Sequence, residues 1–331
     1  MADLWKYCTP AQCREFLLSL DLLEEEDWSD ERKLSCLYAV SNHVESHYHQ
    51  VSIRKKNGSE RSLLVPDPLL KGIQRRILSN VLGERAVSPY AFAYRRGMRI
   101  GDNAACHVGQ PMILKLDIKS FFDNIVFEQV LSCAFPSKYY PPSVGTMLAC
   151  LCCCYDRLPQ GAPTSPAISN LVMKGFDESI GSWCEERGIA YSRYCDDLTF
   201  SGEFDAEAVK RKAGAFLNRM GFELNREKTR VLGRDQRQIV TGVVVNEKVQ
   251  VSREYRRKLR QEVYYCETYG IRGHLERMGK TEYLNSGVHG LERYLNVLLG
   301  KVNFILGVNQ EDQSFIELRE KLKKLKECLG E

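Results

Sequence analysis

The feature that most constrains the fold is a pair of adjacent aspartates, Asp196 and Asp197, inside a stretch typical of a β-hairpin. The stretch AYSRYCDDLTFSGEF covers 190–204, and aromatic, β-branched and apolar residues flank the two acids on both sides. The carboxylates are therefore expected at or near the hairpin tip. Adjacent ionised carboxylates repel each other, and either a raised pKa or a shared cation relieves the repulsion. If the acids bind a cation, their hard oxygen ligands favour Mg²⁺. The alternative interpretation is that the Asp-Asp pair only forms a turn.

A third carboxylate, Asp117, is predicted at the C-terminal end of a strand. In PMILKLDIKSFFDNI, 111–125, apolar residues alternate along the chain up to Asp117, and a helix-like segment follows. Alone, an aspartate at this position is typical of a helix cap. Together with the Asp-Asp pair it completes the three-acid set of a two-metal site, in which one ion holds an attacking hydroxyl and the other a leaving phosphate.

The stretch between these acids, RLPQGAPTSPAISNLVMKGF at 157–176, predicts a loop followed by a helix. Two prolines and a glycine exclude regular secondary structure at the start of this stretch. Thr164 or Ser165 can then cap a helix with Pro166 in its first turn. The apolar face of that helix consists of Ile168, Leu171, Val172 and Phe176. The structural interpretation is a well-capped helix. The functional one is a Gly-rich entry that approaches a substrate, next to a helix N-terminus that favours anions.

Length, composition and charge indicate what kind of protein this is. With 331 residues and 44% hydrophobic content, the chain can form two or three lobes with a sizeable core. Neither a secretion signal nor an apolar run of membrane-spanning length is expected, and thirteen cysteines without such a signal favour the reducing cytosol. A net charge of +4 permits an anionic partner without requiring one. These features predict a cytoplasmic protein.

Three motifs together resemble, in their order and spacing, the palm of reverse transcriptases. They are Asp117 at a strand end followed by two aromatic residues, the Pro-Gln-Gly helix entry, and Tyr-Cys-Asp-Asp on a hairpin. NAACH at 103–107 and IVTG at 239–242 resemble signatures of retron reverse transcriptases, the bacterial enzymes that make a branched RNA–DNA hybrid. The resemblance covers about residues 50 to 305. One departure is Cys195, where the retron hairpin most often has Ala. Because Cys is small, activity is expected to survive, whereas fidelity and the subgroup stay open.

This resemblance implies an α+β right-hand polymerase with fingers, a ferredoxin-like palm of the split βαβ type, and a helical thumb. Four domains are predicted along the chain. They are an N-terminal helical extension (1–50), the fingers (51–110), the palm (111–246) with an interleaved fingers segment near 135–160, and a thumb or RNA-binding domain (247–331).

The resemblance also implies the metal ligands and part of the nucleotide site. Asp117, Asp196 and Asp197 would coordinate two Mg²⁺ ions, with the backbone carbonyl of Ile118 as a further ligand. Phe122 would lie under the sugar and exclude a 2′-hydroxyl, although a core aromatic is the alternative.

The remaining residues expected to bind the deoxynucleoside triphosphate come from three stretches. RKKNGSERSLLVPD predicts two strands joined at Asn57-Gly58 and resembles the fingers loop over the triphosphate. Its cations, Lys55 or Lys56 and Arg61, would neutralise phosphate charge. Gln160 and Gly161 would pack against nucleotide and template, and Lys228 would lie near the leaving pyrophosphate, as a general acid or as a surface lysine.

RNA-binding residues are expected in the NAACH stretch and after 246. Asn103 and His107 represent the first group. In the second, four arginines recur at helical spacing opposite an apolar stripe of Tyr255, Leu259, Val263 and Cys266; they are Arg253, Arg256, Arg257 and Arg260. A solvated face is the alternative to contact with a nucleic-acid backbone. Tyr264, Tyr265 and Tyr269 would stack on loop bases. The final helix, from Phe315 to Leu329, is expected to dock on the thumb rather than on a partner coil.

The expected reaction is RNA-templated DNA synthesis from deoxynucleoside triphosphates. A retron enzyme would start from a guanosine 2′-hydroxyl of its own noncoding RNA and make msDNA, and the family implies an anti-phage role with a separately encoded effector. Two alternatives stay open. One is another bacterial reverse transcriptase, group II intron-like or an untemplated defence polymerase; the other is a catalytically silent RNA-binding scaffold. The sequence leaves open the effector, the RNA recognised, the phage trigger and the oligomeric state.

Overall fold

The computed structural model describes residues 5, 7–25, 27–54, 58 and 60–329. The chain forms two compact units. Unit 1 comprises Met1–Arg96, Lys115–Leu198 and Phe204–Thr229, and unit 2 comprises Gly97–Leu114, Thr199–Glu203 and Arg230–Glu331. The four domains predicted from the sequence stay predictions.

The strands are β1 (Tyr48–Arg54), β2 (Glu60–Pro66), β3 (Met112–Asp117), β4 (Ala190–Tyr194), β5 (Asp197–Gly202), β6 (Arg230–Gly233), β7 (Ile239–Val240) and β8 (Val243–Val244). The α-helices are α1 (Pro10–Ser19), α2 (Asp30–Asn42), α3 (Pro68–Arg76), α4 (Ile100–Ala105), α5 (Phe127–Ala134), α6 (Pro142–Cys152), α7 (Ser165–Glu185), α8 (Ala206–Arg219), α9 (Arg253–Arg277), α10 (Thr281–Leu284), α11 (Gly287–Val308) and α12 (Gln313–Glu327). Three short 3₁₀ helices cover Val44–His47, Phe122–Asn124 and Arg226–Lys228, and a π-helical segment, Ile77–Leu82, follows α3.

The central sheet has four strands in the order β4-β5-β3-β6. Along the chain the elements β3, α7, β4, β5, α8 and β6 give the sequence β-α-β-β-α-β, with α5 and α6 inserted after β3. This order and connection define a ferredoxin-like sheet, so the predicted α+β fold with a ferredoxin-like palm is confirmed.

Helix α7 forms as predicted from its apolar face. Ile168, Val172 and Phe176 are buried, and the Phe176 ring lies 6.5 Å from Tyr191 on β4 and 5.4 Å from Phe216 on α8. The predicted side-chain cap is wrong. Thr164 occupies the N-cap position without a capping hydrogen bond, and the Ser165 hydroxyl donates to the Pro159 carbonyl instead. The hydroxyl thereby closes the Pro-Gln-Gly loop onto the start of the helix.

The predicted fingers hairpin is present as β1 and β2. These strands pair antiparallel from Tyr48↔Pro66 to Arg54↔Glu60. The predicted turn residue Asn57 and the predicted phosphate ligands Lys55 and Lys56 lie outside the described residues.

The two signature stretches meet in unit 2. Ala104 from the first stretch and Val240 from the second belong to one apolar cluster, together with Ile113, Val243 and Val245. The Asn103 amide lies 3.5 Å from the Thr241 hydroxyl, and His107 Nδ1 lies 2.7 Å from the Ser201 hydroxyl. We call this cluster, with Asn103 and His107, the signature core. Both polar side chains are fully buried. They pack inside the protein in this structure, and RNA contact by Asn103 and His107 stays a prediction.

Helices α9 to α12 form an apolar bundle in unit 2. Its core includes Leu259, Val263, Leu298 and Leu322, and α12 packs against α9 and α11 as predicted for the final helix. The apolar stripe of α9 is confirmed for Leu259, Val263 and Cys266, whereas Tyr255 is exposed. Among the residues that the structure describes, no helix is both long and apolar enough to cross a membrane.

Candidate active site

The adjacent aspartates lie where the hairpin pattern predicts. Strand β4 ends at Tyr194, β5 begins at Asp197, and Cys195 between them has a left-handed backbone with φ of +60°. The Asp196 carbonyl accepts a 3.0 Å hydrogen bond from the N–H of Ile118. We call Tyr194–Asp197 the acidic turn. Since Asp117 is the last residue of β3, this bond brings the end of that strand to the turn, and all three acids line one cleft.

The electrostatics of the acids show that they interact. Burial raises the pKa of Asp197, and the charges of Asp196 and Asp117 add to the rise, while Lys115 and Lys228 oppose it. Lys228 Nζ donates to Asp117 Oδ1 over 2.7 Å, and this hydrogen bond raises the pKa of the ammonium group. The three acids therefore repel one another, and the charges of Lys115 and Lys228 partly offset this repulsion at Asp197.

The donor set fits magnesium in kind. Three carboxylates and the Ile118 carbonyl are hard oxygen donors, which Mg²⁺ prefers. Within the described part of the chain, no three His, Cys, Asp or Glu side chains already form a closed metal-binding group. The Asp117 carboxylate faces Lys228 instead, so metal binding would require local side-chain rearrangement.

A fully buried arginine supports the acidic turn from behind. Arg193 Nη1 donates to the Cys195 carbonyl over 3.1 Å, and its other nitrogens donate to Asp177 and Asn170 over 2.7 to 3.0 Å. Burial acts to lower the pKa of Arg193, but the Asp177 carboxylate outweighs it and the net shift is upward. This network was not predicted from the sequence. Asn170 and Asp177 are seven residues apart on α7, a spacing that places two polar groups on one helix face and is a usable signal.

The side chain of Cys195 has a partner, Tyr94, that was likewise not predicted from the sequence. The Tyr94 hydroxyl donates to Cys195 Sγ over 3.2 Å, and Tyr94 likewise has a left-handed backbone, with φ of +58°. Burial, followed by the charge of Asp196, raises the pKa of the Cys195 thiol to about 12. The thiol therefore stays protonated at neutral pH. Its bond to Tyr94 joins two segments that are far apart in sequence.

The cleft around the acids lies within unit 1 and has a volume of about 850 Å³. It contains most of the predicted nucleotide-binding residues that the structure describes. Those on its wall are Arg61, Phe122, Gln160 and Lys228, together with Ile118 and the three acids. Phe122 is half-buried, so it is available to a ligand rather than sealed in the core.

Gly161 has a structural requirement of its own. Its φ is +132°, and a Cβ would lie 2.6 Å from the Leu64 carbonyl oxygen. The neighbouring Gln160 carbonyl accepts a 3.0 Å hydrogen bond from the Leu64 N–H. The Pro-Gln-Gly loop is therefore joined to fingers strand β2, while a contact between Gly161 and nucleotide stays a prediction.

The predicted basic helix face divides into two groups. Arg256 forms an ion pair with Asp312, Arg260 donates to the Ser314 hydroxyl over 3.0 Å, and both guanidinium groups lie over the Phe315 ring. These two arginines hold α12 on α9. Arg253 and Arg257 are exposed, as is Tyr264, whose ring lies 5.9 Å from that of Tyr265. RNA binding by this face stays a prediction.

The chain is similar in sequence to one family of known proteins and to several of its members. The family model described as reverse transcriptase (RNA-dependent DNA polymerase) matches residues 53–251. The retron Mx65 reverse transcriptase of Myxococcus xanthus is 37% identical over 70% of this chain and 59% of its own length. The retron Ec86 reverse transcriptase of Escherichia coli is 31% identical over 66% of this chain and 69% of its own. A telomerase structure from Candida albicans aligns with 84% of this chain and 63% of its own at 12% identity and a TM-score of 0.46.

Proposed function

The chain belongs to the reverse transcriptase family, and within it to the bacterial retron reverse transcriptases, and on this basis we propose that it is an RNA-directed DNA polymerase. The observation that carries the proposal is the hydrogen bond from Ile118 to Asp196, which joins the end of β3 to the acidic turn. Asp117, Asp196 and Asp197 thereby line one cleft, whose wall also includes the basic residues Arg61 and Lys228. This arrangement suits nucleotidyl transfer.

Three carboxylates and the Ile118 carbonyl would hold two Mg²⁺ ions, which when bound supply charge stabilisation at the attacking and leaving oxygens. Arg61 and Lys228 would neutralise the triphosphate, because cations placed where negative charge develops stabilise the transition state. Lys228 already donates to Asp117, so its ammonium group is held beside the reacting centre. The ammonium group has three N–H donors, so Lys228 would still have donors for the leaving pyrophosphate.

Substrate selection would rest on two residues of the cleft wall. The half-buried Phe122 lines the same cleft as the acids. Its flat ring would leave no room for a 2′-hydroxyl and so would favour deoxynucleotides. Gln160 would contact the nascent base pair, since its backbone is fixed on Leu64 of β2.

We extend the proposal to the retron reaction. The enzyme would start on a guanosine 2′-hydroxyl of its cognate noncoding RNA, make msDNA, and act in anti-phage defence with a separately encoded effector. The identities with the retron Mx65 and Ec86 enzymes support this, as do the NAACH and IVTG stretches that pack in the signature core. Arg253, Arg257 and Tyr264 would contact the RNA. All thirteen cysteines are free thiols, which supports a cytoplasmic location.

Primer extension on an RNA template tests the polymerase proposal. Asp197→Asn is expected to reduce the rate at least about 100-fold, because it removes charge from the reacting centre. The free energy of unfolding should not fall, since burial already disfavours the ionised carboxylate of Asp197. Asp123→Asn is the matched control, as Asp123 lies in the same cleft but outside the three-acid set. An Asp197→Asn protein that extends the primer at the wild-type rate would show that the acids are misassigned.

The retron reaction needs a different experiment. The purified protein is incubated with the noncoding RNA encoded beside its gene and with deoxynucleoside triphosphates. A branched product that shortens after debranching treatment supports 2′-hydroxyl priming. DNA without an RNA linkage would reject the retron reaction and point to another bacterial reverse transcriptase activity.

A further inference from the structure

A tight turn between Cys154 and Arg157 has an unusual backbone. The N–H of Cys154 donates to the Arg157 carbonyl over 2.9 Å, and the reverse bond measures 3.2 Å. The two central residues, Tyr155 and Asp156, both have left-handed backbones, with φ of +51° and +57°. Two-residue turns of this kind favour Asn, Asp and Gly. Asp156 fits the preference, whereas a bulky tyrosine in the left-handed region is strained.

The surroundings hold this strained turn in place. The Phe127 N–H donates to the Asp156 carbonyl over 3.0 Å, and the Leu158 N–H donates to the Ile125 carbonyl over 2.9 Å. Arg157 Nη1 also reaches the Asp123 carbonyl, at 3.3 Å. The turn is therefore fixed to the segment that follows Asp117. Strained conformations persist where neighbouring structure over-determines them, and they concentrate at functional sites.

The Tyr155 side chain uses this rigid support to enter the cleft. It lines the same wall as the three acids, yet 66% of its surface is exposed. Across the described residues it has no hydrogen-bond, ion-pair or ring partner. A large aromatic ring is thus held at a conformational cost on the wall of the cleft, and none of the described residues gives it such a partner.

We propose that the Tyr155 ring stacks on a nucleobase bound in the cleft. This rests on the proposed polymerase function and adds a base-contacting residue to it. The Tyr155 ring suits a base better than a phosphate. Phosphate groups favour cations such as Arg61 and Lys228, whereas the flat face of a tyrosine ring can stack on the π-face of any base. The base comes either from the templating RNA or from the incoming deoxynucleotide, and the two sources are separable by experiment.

Tyr155→Asn is the informative variant because stability and function should respond in different directions. Asn tolerates the left-handed backbone, so the melting temperature should stay equal or rise. Loss of the ring should weaken binding of the stacked component about 10-fold. Tyr155→Phe keeps the ring and should behave like the wild type. Tyr139→Asn is the matched control, since Tyr139 is also exposed, at 48%, but lies outside the cleft wall.

Two measurements separate the sources of the base. The first is the Kd for an RNA–DNA template-primer that carries 2-aminopurine at the templating position. The fluorescence of 2-aminopurine is quenched when the base stacks on an aromatic ring. The second is the KM for the next deoxynucleotide at saturating template-primer. A templating base predicts a higher Kd and lost quenching in Tyr155→Asn, whereas an incoming base predicts a higher KM at unchanged Kd.

The inference is overturned if Tyr155→Asn matches the wild type in Kd, quenching and KM, or if Tyr155→Phe is as impaired as Tyr155→Asn. Failure of the polymerase proposal would look different. The wild-type protein would then not extend the primer at all, while the quenching measurement would still report whether Tyr155 stacks on a bound base.

Discussion

The acidic turn and the signature core both depend on fully buried polar side chains, but they use them in opposite ways. Behind the turn, Arg193 and Asp177 form an ion pair in which neither side chain is exposed. In the signature core, Asn103 and His107 are buried among apolar residues, and burial alone lowers the pKa of His107 to about 4. The first region buries charge and pairs it, whereas the second keeps its histidine neutral.

The difference follows from what each region has to hold. The acidic turn carries adjacent carboxylates on a left-handed Cys195, and a charged network that donates to the Cys195 carbonyl can oppose their repulsion. The signature core only joins two chain segments, for which apolar packing and neutral hydrogen bonds suffice. Backbone strain is common to both regions. Tyr94, Ser120, Tyr155 and Cys195 have positive φ and line the cleft, and Thr241, which lies against Asn103 in the signature core, has a φ of +47°.

The largest effect is expected from breaking the charged network. Arg193→Leu should lower the free energy of unfolding by about 3–5 kcal/mol, because it leaves Asp177 buried without its partner. Arg187→Leu is the control: the pair of Arg187 with Glu186 is exposed and should contribute less than about 1 kcal/mol. Urea unfolding measures both. Equal losses in the two variants would show that the buried pair does not support the turn.

An intermediate effect is expected from protonating the signature core. The unfolded chain protonates His107 near its ordinary pKa of 6.5, whereas the folded protein does so only at about 4. Stability is therefore lost as pH falls from about 6.5 to 4, by about 3 kcal/mol at the lower end. Urea unfolding of wild type and His107→Gln at pH 7 and pH 4 checks this. The variant should lose less stability on acidification, and parallel losses would contradict a neutral buried His107.

The smallest effect is expected at the single hydrogen bond of the turn itself. Tyr94→Phe removes the donor to Cys195 and should lower kcat for single-nucleotide addition roughly 2- to 10-fold, as one neutral hydrogen bond contributes about 0.5–1.5 kcal/mol. In a Cys195→Ala background the same change should have no further effect, because the acceptor is already gone. Additive effects in this double-mutant cycle would mean that Tyr94 does not act through Cys195.

Much of the site was predictable because it depends on local pattern. Alternation along 111–117 placed Asp117 at the end of β3, and the pattern of 190–202 placed Asp196 and Asp197 at the hairpin tip. Helix periodicity likewise identified the buried face of α7 and the docking of α12. Side-chain orientation in strands and helices repeats over two to four residues, so neighbouring residues alone carry this information.

What only the tertiary structure decided are the contacts between distant segments. Tyr94 meets Cys195, and Asp177 meets Arg193, through the packing of separate elements that no local period encodes. The same holds for His107, whose contact with Ser201 joins residues 94 positions apart in the sequence. The spacing of apolar residues in the sequence determines which face of a helix or strand is apolar. Which other element covers that face, and which polar groups are buried with it, depends on contacts across the whole fold.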